Sequence, residues 1–208
     1  MIAALFVAKG GCYFGLEGVD PWDDARDARG YAGPWPVVAH PPCERWGRYW
    51  GGGPMLHGTS KQKRLGDDGG CFASALRMVH TFGGVLEHPE ASHAWAEFGI
   101  ARPPSIGGWV PTTFGGFTCC VEQGHYSHRA RKKTWLYTYG VSSLPELVWG
   151  PSRGERLDEG FHSKAERDAA RAAGVKPRAR LSKAENLATP LPFRDLLLSI
   201  ARSARSSP

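Results

Sequence analysis

Short apolar runs separated by long polar, glycine- and proline-rich stretches give the chain the rhythm of buried strands joined by loops. Ala3–Val7, Pro36–Ala39 and Gly84–Leu86 are continuous apolar blocks of the kind found in strands covered on both faces. Thr134–Tyr139 is rich in aromatic residues and threonine, which suits a fourth strand. Between the second and third blocks the period changes. Phe72, Ala75, Leu76 and Val79 recur at helical spacing within Cys71–His80. Asp67 and Asp68 before that segment and Gly83-Gly84 after it are start and stop signals for a helix. Strand, helix and strand in this order make a βαβ unit with a right-handed crossover. The pattern predicts an α/β protein built on a mostly parallel, Rossmann-like sheet.

The intervening segments have their own signatures. Val19–Trp22 followed by Asp23–Tyr31 reads as a turn into a short helix. Trp46–Gly70, with Gly51-Gly52-Gly53-Pro54 inside it, reads as a long loop able to close over a substrate. Pro103–Gly116 is irregular. Beyond Gly150 the chain turns polar, with an exposed helix expected over Ser163–Ala173. A short amphipathic helix over Phe193–Ala204 is expected to pack back through Phe193, Leu196, Leu197 and Ile200. These features divide the chain into a catalytic domain over 1–150 and a basic C-terminal appendage over 151–208.

Composition narrows the classes. A length of 208 residues with 41% hydrophobic content suits one compact domain, and no apolar run approaches the length of a membrane helix. The first strand lacks the basic leader and cleavage site of a signal peptide. Five cysteines without a disulfide-framework spacing favour a reducing, cytoplasmic setting. A formal charge of +6 and a pI near 9.2 fit a polyanionic partner such as DNA. Part of that excess lies in Arg167, Arg171, Lys176, Arg178, Arg180 and Lys183, which equally suit a solvated basic tail.

Three motifs carry chemistry. Pro41-Pro42-Cys43 ends the second apolar block, where the prolines stop both helix and strand pairing and leave a thiol at a sheet's carboxyl edge. Val85-Leu86-Glu87-His88-Pro89 puts an acid at the end of the third block. Tyr126–Leu136 holds the basic cluster Arg129, Arg131, Lys132 and Lys133 leading into the aromatic strand. Nucleophile, acid and basic anchor at separate strand ends suit covalent chemistry on an electron-poor ring. His40 and Arg45 flank Cys43 and are expected to lower its pKa.

In these motifs the chain resembles the DNA (cytosine-5) methyltransferases, and in particular short phage-encoded proteins of that type. Pro41-Pro42-Cys43 matches the core of that family's nucleophile motif. Val85–Pro89 is similar to its Glu-Asn-Val motif, with His88 at the Asn position. Tyr126–Lys133 is similar to its Gln-x-Arg-x-Arg motif, with Arg129 at the Gln position and Arg131 and Lys133 at the arginines. The likeness spans residues 36–140. It implies a methyltransferase-type sheet and DNA as partner, in the host cytoplasm for a phage protein. It also implies Cys43, Glu87 and Arg131 as catalytic residues. His40, Pro42, Arg45, His88, Arg129 and Lys133 would then contact substrate. The methyl donor S-adenosylmethionine would bind at Phe6, Gly10, Gly11 and Asp20, with Asp23 as an alternative acid. The short lead before Cys43 implies a cofactor region truncated at its N-terminal half, and the usual recognition domain is missing or reduced to the basic tail. No metal is implied.

Two other classes compete. His88-Pro89-Glu90 has the H-x-E shape of a zinc deaminase, but the downstream P-C-x-x-C is missing. A DNA-binding or decoy protein that kept a methyltransferase half-fold without its cofactor would also be basic, although it has no need of an activated thiol.

Overall fold

The computed structural model describes residues 1–52, 56, 58–155, 164–175 and 181–204. Its spine is a seven-stranded sheet. The strands are β1 (Ile2–Leu5), β2 (Val19–Trp22), β3 (Val37–Ala39), β4 (Gly84–Pro89), β5 (Val110–Pro111), β6 (Phe117–Glu122) and β7 (Lys133–Tyr139), in the spatial order β2-β1-β3-β4-β7-β6-β5. Helices are α1 (Cys71–Phe82), α2 (His93–Glu97), α3 (Lys164–Ala172), α4 (Lys183–Leu187) and α5 (Leu191–Arg202).

The α/β class is as expected, but the sheet is mixed and not mostly parallel. β2, β1, β3 and β4 run parallel, whereas β7 is antiparallel to β4, and β6 and β5 continue antiparallel. The fourth expected strand is present as β7 but reversed. β6 before it, Phe-Thr-Cys-Cys-Val-Glu, reaches β7 through the single turn Gln123–Tyr126 and a few further residues. So short a connection joins antiparallel neighbours, since a parallel pair needs a crossover of a dozen or more residues. β2 forms where a turn was expected, and only Ala28–Gly30 is helical in the segment that follows it.

Two helices cover opposite faces of the sheet. Alternation along the strands sends Ala3, Leu5, Val37, Ala39 and Leu86 toward α1, where Phe72, Ala75, Met78 and Val79 are buried. Ile2, Ala4, Val38 and Val85 point the other way, against Phe193, Leu197, Leu198, Ile200 and Ala201 of α5. α5 therefore completes the core of the sheet that the first 140 residues build. Asp68 anchors the start of α1. Its carboxylate accepts from the Gly70 and Phe72 N–H groups and from Trp46 Nε1, the last at 2.8 Å. Gly84 opens β4 at φ +128°, where any Cβ would stand 2.0 Å from the Val37 carbonyl oxygen.

Strand order reverses between β1 and β3. The β1–β2 loop packs Cys12, Tyr13 and Leu16 on the α5 face, while the β3–β4 crossover places α1 on the other face. Such a reversal opens a crevice beyond the carboxyl ends of the two strands. Among the described residues no helix is long and apolar enough to cross a membrane. The expected features at Gly53, Pro54, Ser163, Lys176, Arg178 and Arg180 lie outside the described residues.

Candidate functional site

Three strand ends lie side by side at this reversal. The chain leaves β3 as His40-Pro41-Pro42-Cys43 and leaves β1 into the loop carrying Tyr13, while Glu87 lies near the end of β4. Period-two alternation puts Glu87 on the same face as Val85, the α5 face, and sends His88 to the α1 face with Leu86. The resulting geometry is a chain of hydrogen bonds. Tyr13 OH lies 2.8 Å from His40 Nε2, and His40 Nδ1 lies 2.9 Å from Glu87 Oε2. Gln123 Nε2 donates to Glu87 Oε1 at 3.4 Å and to Thr134 Oγ1 at 2.9 Å.

Electrostatics tie Cys43 and Lys132 to this chain. Burial raises the Cys43 thiol pKa and the Glu87 charge raises it further, while the Cys43 backbone N–H and the Lys132 ammonium pull it down. The expected lowering by His40 and Arg45 is therefore not found: Glu87 outweighs any flanking cation, and Arg45 Nη1 is turned to the Trp50 carbonyl at 3.2 Å. Burial pushes the Glu87 carboxyl up, yet hydrogen bonding and charge from His40, with Lys132 and His88, bring its pKa below the ordinary value. Lys132 is itself lowered by burial, against the pull of Glu87 and Cys43. Thiol, carboxylate and ammonium are thus within mutual electrostatic reach.

The basic cluster is distributed differently from the expectation. Lys132, two positions before Thr134, is the cation whose charge acts on Cys43 and Glu87. The Arg131 backbone N–H donates to the Glu155 carbonyl, and its buried Nε has no hydrogen-bond partner among the described residues. Arg129 pairs with Glu185 at 3.5 Å, and Lys133 with Glu90 at 3.4 Å. Lys132 sits just before β7 at φ +37°, so the backbone turns there and sends neighbouring cations in different directions.

His88 does not face a substrate. It is fully buried, bonded through Nδ1 to Ser92 Oγ at 2.8 Å and stacked against Trp95. Burial holds its pKa down at about 4. Its Nε2 makes no well-formed hydrogen bond, although the Pro42 and Pro41 carbonyls act on the ring, so His88 sits beneath the Pro-Pro-Cys turn. Pro42 is exposed beside the half-buried Cys43. Trp46, at the start of the long loop, is buried, and its carbonyl accepts from the His93 N–H at 2.9 Å.

The residues expected to hold a methyl donor fit it only in part. Phe6 follows β1 at φ +59°, and Gly10 at φ +65° has open space where a Cβ would stand, so backbone there can meet a ligand closely. Asp20 lies within β2, and its carboxylate is already taken by Trp22 Nε1 and Arg26. Asp23, at the strand's end, is buried and accepts from the Ala25 N–H. Neither acid has a carboxylate free of protein partners for a ribose. Among the described residues no group of three or more His, Cys, Asp and Glu is placed to hold a metal ion.

Sequence reasoning missed Tyr13, Gln123 and Thr134, and left Lys132 without a role. Gln123 follows β6, a strand that was not expected, and Tyr13 sits 27 residues before its partner. No protein-family model, curated protein or solved structure matches this chain.

Proposed function

We propose that this chain is a nucleic-acid cytosine carbon-5 modifying enzyme with a methyltransferase-type α/β fold, most simply a DNA (cytosine-5) methyltransferase. The observation that supports it most is that Cys43, just beyond the end of β3, and Glu87 on the adjacent parallel strand β4 lie within electrostatic reach of each other, with the Lys132 charge acting on both. A strand-order reversal beside them favours a crevice at that spot, and the net charge of +6 favours a nucleic-acid partner.

The chemistry that these groups can perform is a conjugate addition. The Cys43 S–H bond breaks and its proton passes to the Glu87 carboxylate. Sγ bonds to ring carbon 6, the carbon 5–carbon 6 electron pair shifts through the ring, and nitrogen 3 takes the proton from Glu87. Carbon 5 is then electron-rich, and reversal of the addition restores the thiol. Lys132 offsets negative charge in the hollow. A bound S-adenosylmethionine would supply an electrophilic methyl group at carbon 5. Because the Asp20 and Asp23 carboxylates already have protein partners, no step is derived through it. A base in a duplex would have to leave its stack to reach the thiol.

The test is covalent trapping with oligonucleotides containing 5-fluorocytosine, with and without S-adenosylmethionine. The expected result is a denaturation-resistant adduct that requires the methyl donor and disappears in Cys43→Ala. An adduct without the donor would favour a different carbon-5 modification, whereas an adduct surviving in Cys43→Ala overturns the mechanism. The engaged Asp20 carboxylate favours one second reading, a DNA-binding protein of the same fold without donor chemistry. DNA binding with no adduct under any condition would select it.

A further inference from the structure

We infer that Tyr13 and His40 are positioning residues for Glu87, forming a one-way hydrogen-bond relay that fixes the carboxylate and ties the loop after β1 to the Cys43 site. The inference deepens the cytosine reading and rests on it only for the direction in which Glu87 passes its proton.

The bonding roles follow from the chemistry of each group. An ionised carboxylate only accepts, so His40 Nδ1, at 2.9 Å from Glu87 Oε2, carries the hydrogen. When the ring is neutral the other nitrogen is an acceptor and Tyr13 OH, at 2.8 Å, donates to Nε2; protonating the ring, which adds the His40 charge felt by Glu87, reverses that one bond and leaves Nδ1–H on the carboxylate. Tyr13 is 2% exposed, so water does not compete for its hydroxyl. Burial, with the charges of Cys12, Glu87 and Asp195 against that of Arg194, keeps the phenol protonated and able to donate. The relay runs Tyr13 to His40 to Glu87 across the point where strand order reverses, and ties the β1–β2 loop and the end of β3 to strand β4 with two bonds.

The relay also distinguishes the two carboxylate oxygens. Oε2 is held by His40 at 2.9 Å, while among the described residues Oε1 has the longer 3.4 Å contact from Gln123. Oε1 is therefore the oxygen that takes the thiol proton and delivers it to the ring. Oε2 stays bonded, so the carboxyl does not rotate as it is protonated and deprotonated. The charged and titratable groups acting on Glu87 are His40, Lys132 and His88, with Cys43 and Tyr13 feeling it in turn.

Two spectroscopic measurements on the full chain test the relay without any nucleic acid. Nitrogen-15 shifts of the His40 ring are expected to report a single tautomer with hydrogen on Nδ1, and Tyr13→Phe to convert it to a mixture. The Glu87 side-chain carbon shift is expected to titrate below the ordinary Glu range. In His40→Ala that titration is expected to rise by at least one unit, about a tenfold change in ionisation constant. His40→Asn, which can place an N–H near Nδ1, is expected to recover part of the shift; an inert packing role predicts no such recovery. Hydrogen on Nε2 in the native chain, or an unchanged Glu87 titration in folded His40→Ala, overturns the relay. If His40→Ala fails to fold, the Tyr13→Phe tautomer decides. An intact relay with no trapped adduct overturns only the cytosine reading, and an adduct with no relay overturns only this inference.

Discussion

The Lys132 ammonium donates to the Ala188 carbonyl at 3.0 Å, which lays the segment around α4 across the basic cluster. His128 Nε2 meets the Glu185 carbonyl at 3.1 Å, and the Glu185 side chain pairs with Arg129. Lys132, Arg129 and Lys133 therefore already carry protein partners. Glu185→Lys replaces a competing carboxylate by a cation at an exposed position. Non-specific DNA affinity should rise, with the slope of log K against log salt steeper by about 1 to 2. Filter binding over a salt series checks this, and an unchanged slope removes that face from the DNA interface.

The charges around Cys43 should be visible in its alkylation rate. Glu87 raises the thiol pKa and Lys132 lowers it. At pH 8, Glu87→Gln should react with iodoacetamide about two- to fivefold faster than the native chain, and Lys132→Ala slower by a similar factor. Arg131→Ala should leave the rate near native. Peptide mass spectrometry resolves Cys43 from the other four cysteines. A large effect at Arg131 with none at Lys132 would restore the arginine to the role expected from the sequence.

Acid should destabilise the fold through His88 and Glu87 together. The folded His88 pKa is depressed to about 4, so between pH 6.5 and 4 the unfolded chain binds the proton and the folded chain does not. Stability from this residue is present above pH 6.5 and is lost as pH falls toward 4, amounting to about 3 kcal/mol. Glu87 is also depressed, so its contribution is present above the ordinary Glu pKa and is lost as pH falls through the folded value. Urea unfolding at a series of pH values measures the slope. His88→Gln should flatten it between pH 6.5 and 4, whatever that change costs at neutral pH.

α5 should behave as core. Phe193 and Leu197 are 0% exposed and pack against β1, β3 and β4 residues. Phe193→Ala should cost about 3–5 kcal/mol and Leu197→Ala about 2–5 kcal/mol in urea unfolding. Losses below about 1 kcal/mol would mean that the helix is dispensable to the sheet.

How much of this was legible varies by element. β3, α1 and β4 form one local unit with clear periodicity, and they were found within a few residues of their observed ends. α5 was found for the same reason, because four apolar positions at helical spacing mark one face. β6 was missed since Thr118, Cys119 and Cys120 alternate weakly, and the strand is defined by pairing with β7. β2 was missed because Asp20 and Pro21 read as turn residues. An edge strand tolerates both, as its outer side needs no ladder hydrogen bond.

The sequence by itself determined the α/β class, the thiol after Pro41-Pro42 and the acid that ends the next strand, since each depends on residues adjacent in the chain. Only the tertiary structure decided that β7 runs antiparallel and that the Lys132 charge reaches Cys43 and Glu87. It alone joined Tyr13 and His40 to Glu87 and placed His88 beneath the Pro-Pro-Cys turn. Which face a residue serves follows from pairing register, and which groups share a hollow follows from strand order, and both come from contacts between residues far apart in the chain.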